Sequence, residues 1–129
     1  MIVNLTPHAI NILAKESCVN LKQDPKTRQW VADEATPIRT IESSGVARVS
    51  VSSSYGEPLE GIPTQVPVYG EIEGLPDYKE GTSYIVSLLT VSAAKAGERT
   101  TEDLFTPGVI VRSAANQSLI LGCFDLNRQ

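Results

Sequence analysis

Gln65-Val66-Pro67-Val68-Tyr69-Gly70-Glu71-Ile72-Glu73, entered through Ile62-Pro63-Thr64, decides the fold class of this chain. Ile62, Val66, Val68 and Ile72 share one parity, with Thr64 and Gly70 filling the pattern, and a period of two is that of a β-strand. The alternation predicts a strand whose even face meets the core, while Gln65, Tyr69, Glu71 and Glu73 turn outward or toward a partner. Pro63 and Pro67 cannot donate ladder hydrogen bonds, which puts the strand at a sheet edge or beside a bulge.

Toward the N-terminus the same signal repeats in shorter pieces. Val3 and Leu5 fall on one face, Pro7 interrupts, and Ile10 and Ile12 resume in the opposite parity, so a bend at Thr6-Pro7-His8 must reset the register. Val19 and Leu21, Ile38 and Ile41, and Val49 and Val51 mark further strands. Residues 23–35 carry few apolar groups and a turn-forming Asp24-Pro25, which predicts an exposed hairpin or loop anchored by Trp30. The stretch from Ser52 to Pro58 reads as the most mobile of the chain.

Toward the C-terminus the pattern changes. Tyr84-Ile85-Val86 reads as a strand, and Ser87 can cap a helix running through Leu88, Leu89, Val91 and Ala94 to a stop at Gly97. Thr100 or Thr101 before Glu102 and Asp103 predicts a second, single-turn helix. Val109 to Arg112 and Leu119 to Phe124 form a terminal hairpin. The expected architecture is one α+β domain over residues 1–129, mainly antiparallel β-sheet, with one or two short helices in the C-terminal third.

At 129 residues, 41% hydrophobic and 20% charged, the composition is that of one globular domain, and no run approaches the length needed to cross a bilayer. The net charge of -4 argues against a general grip on duplex nucleic acid, which needs clustered Lys and Arg, but leaves small anions possible. The negative charge is local: Glu57, Glu60, Glu71, Glu73, Asp77 and Glu80 are opposed only by Lys79. Cys18 and Cys123 lack CxxC or His-rich spacing, so no metal and no cofactor are expected. The first residues lack a basic n-region and an apolar h-region. The expectation is a cytoplasmic protein, with no membrane association and two reduced, buried thiols.

Catalytic patterns are absent: there is no GxSxG, no Walker A motif and no GxGxxG. The lone histidine, His8, reads as structural, its ring nitrogens satisfied by nearby backbone, and Glu71 with Glu73 reads as surface charge. The arginines are more informative. Arg39, Arg48 and Arg112 each sit inside a strand of apolar or small residues, where a long cation needs a reason. Alternation onto a solvent face is one. The other is convergence on a phosphate or carboxylate, assisted by N–H groups at Ser87 or Pro107-Gly108, with Tyr84, Tyr69 or Phe105 stacking on a base.

Asn4-Leu5-Thr6-Pro7-His8-Ala9-Ile10, Gly45-Val46-Ala47-Arg48-Val49, Tyr69 to Pro76, Gly81 to Ser87, and Pro107-Gly108 followed by Val111-Arg112 and Ile120-Leu121-Gly122-Cys123 together resemble a family of small proteins carried by phages, prophages and bacterial genomes. In its order of strands and helices, and in an aromatic followed downstream by an Arg, the chain also resembles phage anti-Thoeris sponge proteins. That resemblance implies non-enzymatic sequestration of a cyclic ADP-ribose-type signal by a homo-oligomer, with Tyr84 and Arg112 at the ligand and Arg48 nearby. The expected function is therefore capture of a small nucleotide by Tyr84, Arg112, Arg48, Arg39 and Tyr69. The competing expectation is a structural or regulatory protein-binding module that uses the acidic edge strand from Gln65 to Glu73.

Overall fold

Apolar stretches broken every few residues by Pro, Gly and Ser should give many short strands, and fourteen form in the computed structural model, which describes residues 1–129. In chain order these are β1 (Ile2–Asn4), β2 (Ile10–Ile12), β3 (Cys18–Val19), β4 (Lys22–Gln23), β5 (Trp30–Ala32), β6 (Glu34–Ala35) and β7 (Arg39–Ile41). Then come β8 (Arg48–Tyr55), β9 (Gln65–Glu73), β10 (Ser83–Ile85), the helix α1 (Leu88–Ala96), β11 (Leu104–Pro107), β12 (Ile110–Ser113), β13 (Ile120–Cys123) and β14 (Leu126–Arg128). No helix is long and apolar enough to cross a membrane.

The strands build a four-stranded sheet in the order β1-β10-β11-β14 and a six-stranded sheet in the order β4-β5-β12-β13-β2-β7, with β3–β6 and β8–β9 as separate pairs. Six of the ten strand pairings are antiparallel, and each of the two large sheets mixes parallel with antiparallel neighbours. Neighbours joined by a turn pair antiparallel, as in β4–β5 and β12–β13. The parallel pairings all join strands far apart in sequence: Ile2 lies beside Ser83 and Val111 beside Trp30. Parallel pairing requires a long crossover, so no local turn signal announces it.

Beside one 3-10 turn at Lys15–Ser17, a single α-helix forms. Ser87 caps it, its hydroxyl accepting from the Thr90 N–H at 3.3 Å, and Gly97 ends it. Four strands follow α1, so it sits inside the chain's run of strands and no helical C-terminal third develops. The second helix expected at Thr100–Asp103 is a turn leading into β11. Asp103 does not serve that turn as an exposed N-terminal acid. It is buried and bound by both guanidinium nitrogens of Arg99 at 2.9 Å, while Arg99 also donates to the carbonyls of Thr100 and Pro76.

Two apolar clusters hold the sheets. Leu5, Ala47, Tyr84, Val86 and Leu104 pack with Val91 and Ala94 of α1, joined by Val3, Ile72 and Leu75. Leu13, Ala32 and Val111 form the second, flanked by Trp30 and Phe124, whose rings meet edge to face at 5.7 Å. Trp30 thus anchors the β4–β5 hairpin as the sequence predicts. The even face of β9 departs from expectation: Ile72 reaches the first cluster, whereas Val66 and Val68 are 49% and 46% exposed. Only the root of the β8–β9 hairpin touches the body, and the rest projects as an arm.

Only 20 of the 129 residues are buried, so a charged group among them weighs heavily on stability. Asp103→Ala strands the Arg99 guanidinium and should destabilise the fold by about 3–5 kcal/mol, whereas Glu102→Ala on the exposed side should cost about 0.5 kcal/mol or less. Paired urea titrations of the two variants measure the difference.

Candidate functional site

The stretch Asn4-Leu5-Thr6-Pro7-His8 makes the bend anticipated between β1 and β2, and the Asn4 side chain shapes it. Asn4 is fully buried. Its amide nitrogen donates to the carbonyl of His8 at 2.8 Å and to that of Ile41 at 3.0 Å. Its amide oxygen accepts from the Thr6 N–H at 3.0 Å and the Thr6 hydroxyl at 2.6 Å. Ser43 closes the network from β7's end, its hydroxyl donating to the Thr6 carbonyl at 2.6 Å. The bend is therefore rigid, and it holds Pro7 and His8 out from the two sheets. The backbone carbonyl of His8 is engaged, not its ring: the imidazole is exposed and makes no hydrogen bond within the chain, unlike the structural histidine expected.

Pro7 and His8 form one wall of a groove of about 1070 Å³ where the two large sheets meet. The start of α1 with Ser87 and Leu88 lines a second wall, β13 with Leu119 and Ile120 a third, and Asn127, Arg128 and Gln129 a fourth. Ile10 and Ile110 also line it. The volume lies at the upper end of the range of small-molecule sites, and the mixture of apolar walls with a few polar groups is typical of them. No aspartate or glutamate lines the groove, although the chain has 15 of them. Arg128 is the charged residue at its border; its guanidinium lies 5.1 Å over the ring of Phe105, its partner across β11–β14, which does not itself line the groove. That contact orients the cation, and Arg128 enters no ion pair, since the chain's salt bridge joins Arg99 to Asp103.

Cys123 also borders the groove but is buried, and burial pushes its thiol above the ordinary range, with the Asp125 charge adding to the rise. Cys18 is half-buried rather than buried, and desolvation raises it too. Both cysteines are free. A thiol held protonated is a poor nucleophile. No three His, Cys, Asp or Glu side chains come together as a metal-ligand set.

The five residues expected at a ligand site are dispersed. Tyr84 is 5% exposed in the first core cluster, because β10 lies between β1 and β11 and its inner face meets α1. Arg112 donates to the Gln117 carbonyl at 3.1 Å and fastens the loop between β12 and β13. Arg39 is exposed on β7 at the end of the six-stranded sheet. Arg48 lines a smaller cleft of about 410 Å³ at the root of the arm, with Glu71, Glu73 and Ser87. Tyr69 is half-buried on β9 opposite Val51. Neither cavity gathers them: Arg48 alone lines the small cleft, and none of the five lines the groove. Comparison with protein-family models, curated proteins and solved structures finds no match.

Sequence reasoning missed Arg128 because it lies in β14, a strand of three residues with no alternation to read. The available signal was Phe105, already a candidate aromatic, whose face holds that guanidinium.

Asn4→Ala removes both donors and both acceptors from this buried network and should cost about 2–4 kcal/mol, read from thermal or urea unfolding. The raised Cys123 pKa stabilises the folded state below the ordinary thiol range, and that contribution is lost as the pH rises from there through the folded value. Cys123 should accordingly resist iodoacetamide in the native protein at pH 8 and react on unfolding, as peptide mapping of the alkylated chain would record.

Proposed function

We propose that the chain captures a small nucleotide of the cyclic ADP-ribose or cyclic oligonucleotide kind in the groove between its two large sheets, without turning it over. The observation that carries this reading is the groove's charge: in an acidic protein this cavity of about 1070 Å³ has no acidic side chain and is bordered by an arginine that enters no ion pair. Arg128 supplies the fork of donors that suits a phosphate. The exposed His8 imidazole on the opposite bend provides a second group for an anion. Ile10, Ile110, Leu119 and Ile120 offer apolar surface for a base and sugar. The resemblance to phage sponge proteins supports the ligand class and an anti-defence role, while the site moves from Tyr84, Arg112 and Arg48 to Arg128 and His8.

Retention without cleavage is supported by the chemistry of the lining. The thiol that borders the groove is buried and held protonated, and a general acid or base pair of carboxylates is missing from the walls. The competing module on the Gln65–Glu73 edge draws on the exposed Val66 and Val68, but Pro67 interrupts that edge.

Isothermal titration with cyclic ADP-ribose isomers and cyclic oligonucleotides tests the proposal. A ligand should bind, Arg128→Ala should weaken it about 10–100-fold through loss of a charge-assisted contact, and Arg112→Ala or Arg48→Ala should leave it within about twofold. Mass spectrometry of the released ligand should return it unchanged. Absence of heat with every ligand removes the proposal, and a cleaved product replaces capture with turnover.

A further inference from the structure

The β8–β9 arm is the largest feature that the groove does not use. Its root is anchored by Ile72, with Val49 opposite, and beyond a register shift between Val49 and Val51 it leaves the body. The tip closes through Glu60 and Gly61, both with positive φ (49° and 82°), as a two-residue hairpin turn demands. Leu59 and Ile62 exchange backbone hydrogen bonds of 2.9 and 2.8 Å across it. A two-stranded ribbon alone in water is marginal, and this one leaves Val51 43% and Tyr55 82% exposed on one face.

The two edges of the arm differ. Gly56 donates to the Thr64 carbonyl at 3.1 Å, which sets the phase of the ladder. Ser54 with Val66 and Ser52 with Val68 bond inward, while Val51, Ser53 and Tyr55 turn their N–H and C=O groups outward on one edge, and Gln65, Pro67 and Tyr69 do so on the other. Pro67 stands where the middle donor of the β9 edge belongs, so that edge is closed to another strand. The β8 edge keeps all three donors, and no other segment of the chain bonds to them. Open edges are ordinarily guarded by Lys, Pro or a bulge, and Val51 to Tyr55 contains none of these; no charged residue lies between Arg48 and Glu57.

We propose that the β8 edge is completed by the β8 edge of a second copy of this chain. A twofold axis at Ser53 sets Ser53 opposite its own counterpart and Val51 opposite Tyr55, so all three outward residues of each strand bond across and the two arms become one four-stranded sheet. The same register pairs a β-branched with an aromatic side chain, covering the two exposed groups of that face. That self-complementarity in hydrogen bonds and side chains, around a centre with no charged residue between Arg48 and Glu57, favours a second copy over an unrelated extended peptide.

Light scattering on the full chain across the micromolar range should give twice 13.9 kDa for the wild type. Ser53→Pro removes an outward N–H and leaves the inner ladder intact, so it should halve that mass with an unchanged circular dichroism spectrum. A second measurement does not depend on that variant folding. The register opposes Ser52 to Ser54 of the second copy as a non-hydrogen-bonded pair, about 4.5 Å between Cα atoms and within disulfide reach. Mild oxidation should therefore crosslink a mixture of Ser52→Cys and Ser54→Cys copies in preference to either variant alone. A wild type that is monomeric throughout, a dimer that survives Ser53→Pro, or crosslinking no better in the mixture than in the single variants would each overturn the proposal.

Discussion

The buried amide of Asn4 is the interaction on which the arrangement of the two large sheets depends. A primary amide offers two donors and two acceptor sites, and here all four are used, on two separate segments: the bend at Thr6 and His8, and the end of β7 at Ile41. The backbone of the same residue is in register with Ile85 in the four-stranded sheet, and its carbonyl accepts from Ser44. One residue thus ties a strand of one sheet to the edge of the other. An aspartate lacks the donors for two carbonyls, and an aliphatic side chain of similar volume leaves buried groups without partners. The wall that Pro7 and His8 give to the groove follows from that closed network.

Charge is partitioned with comparable economy. Arg99 is spent on the buried Asp103, Arg112 on a loop carbonyl, and Arg48 sits among the glutamates of the arm's root. Arg128 alone among the arginines borders a cavity free of acidic side chains. The arm carries Glu57, Glu60, Glu71 and Glu73, and fields between exposed charges fade beyond about 10 Å at ordinary ionic strength. The overall sign of the protein therefore says little about the ligand its groove favours; the nearest side chains decide that.

Features set by neighbours in sequence were legible before the fold was known: the bend at Thr6-Pro7-His8, the β4–β5 hairpin around Asp24-Pro25, the helix bounded by Ser87 and Gly97, and the terminal β12–β13 hairpin. Features set by distant partners were not. The parallel pairings of β1 with β10 and of β5 with β12 join segments with no turn between them. Tyr84 reads as a free aromatic in sequence, yet the neighbours β10 acquires place its ring under the helix. The strand arginines were read as convergent because their strands were recognisable, but where such a side chain points depends on which sheet each strand joins. Asp103 shows the same limit at short range: its position suits a helix start, and only the fold of residues 99–103 shows that Arg99 takes it.

The alternation in β9 is correct as a strand signal and misleading as a burial signal, and the register shift explains why. Ile72, Val68 and Val66 share a parity, yet only Ile72 packs on the core, because β9 contributes an extra residue between the pairs Val49–Ile72 and Val51–Tyr69. Such an insertion bends a strand and strengthens its twist. Gly70 lies within it, where an added Cβ would come 3.3 Å from the Ser50 carbonyl oxygen, so the close approach of the two strands calls for a residue without a side chain. The bulge turns the outer half of the hairpin away from the body, exchanging apolar burial within the chain for a free ribbon. That exchange costs stability in an isolated molecule, and a partner strand on the open β8 edge is the arrangement that recovers it.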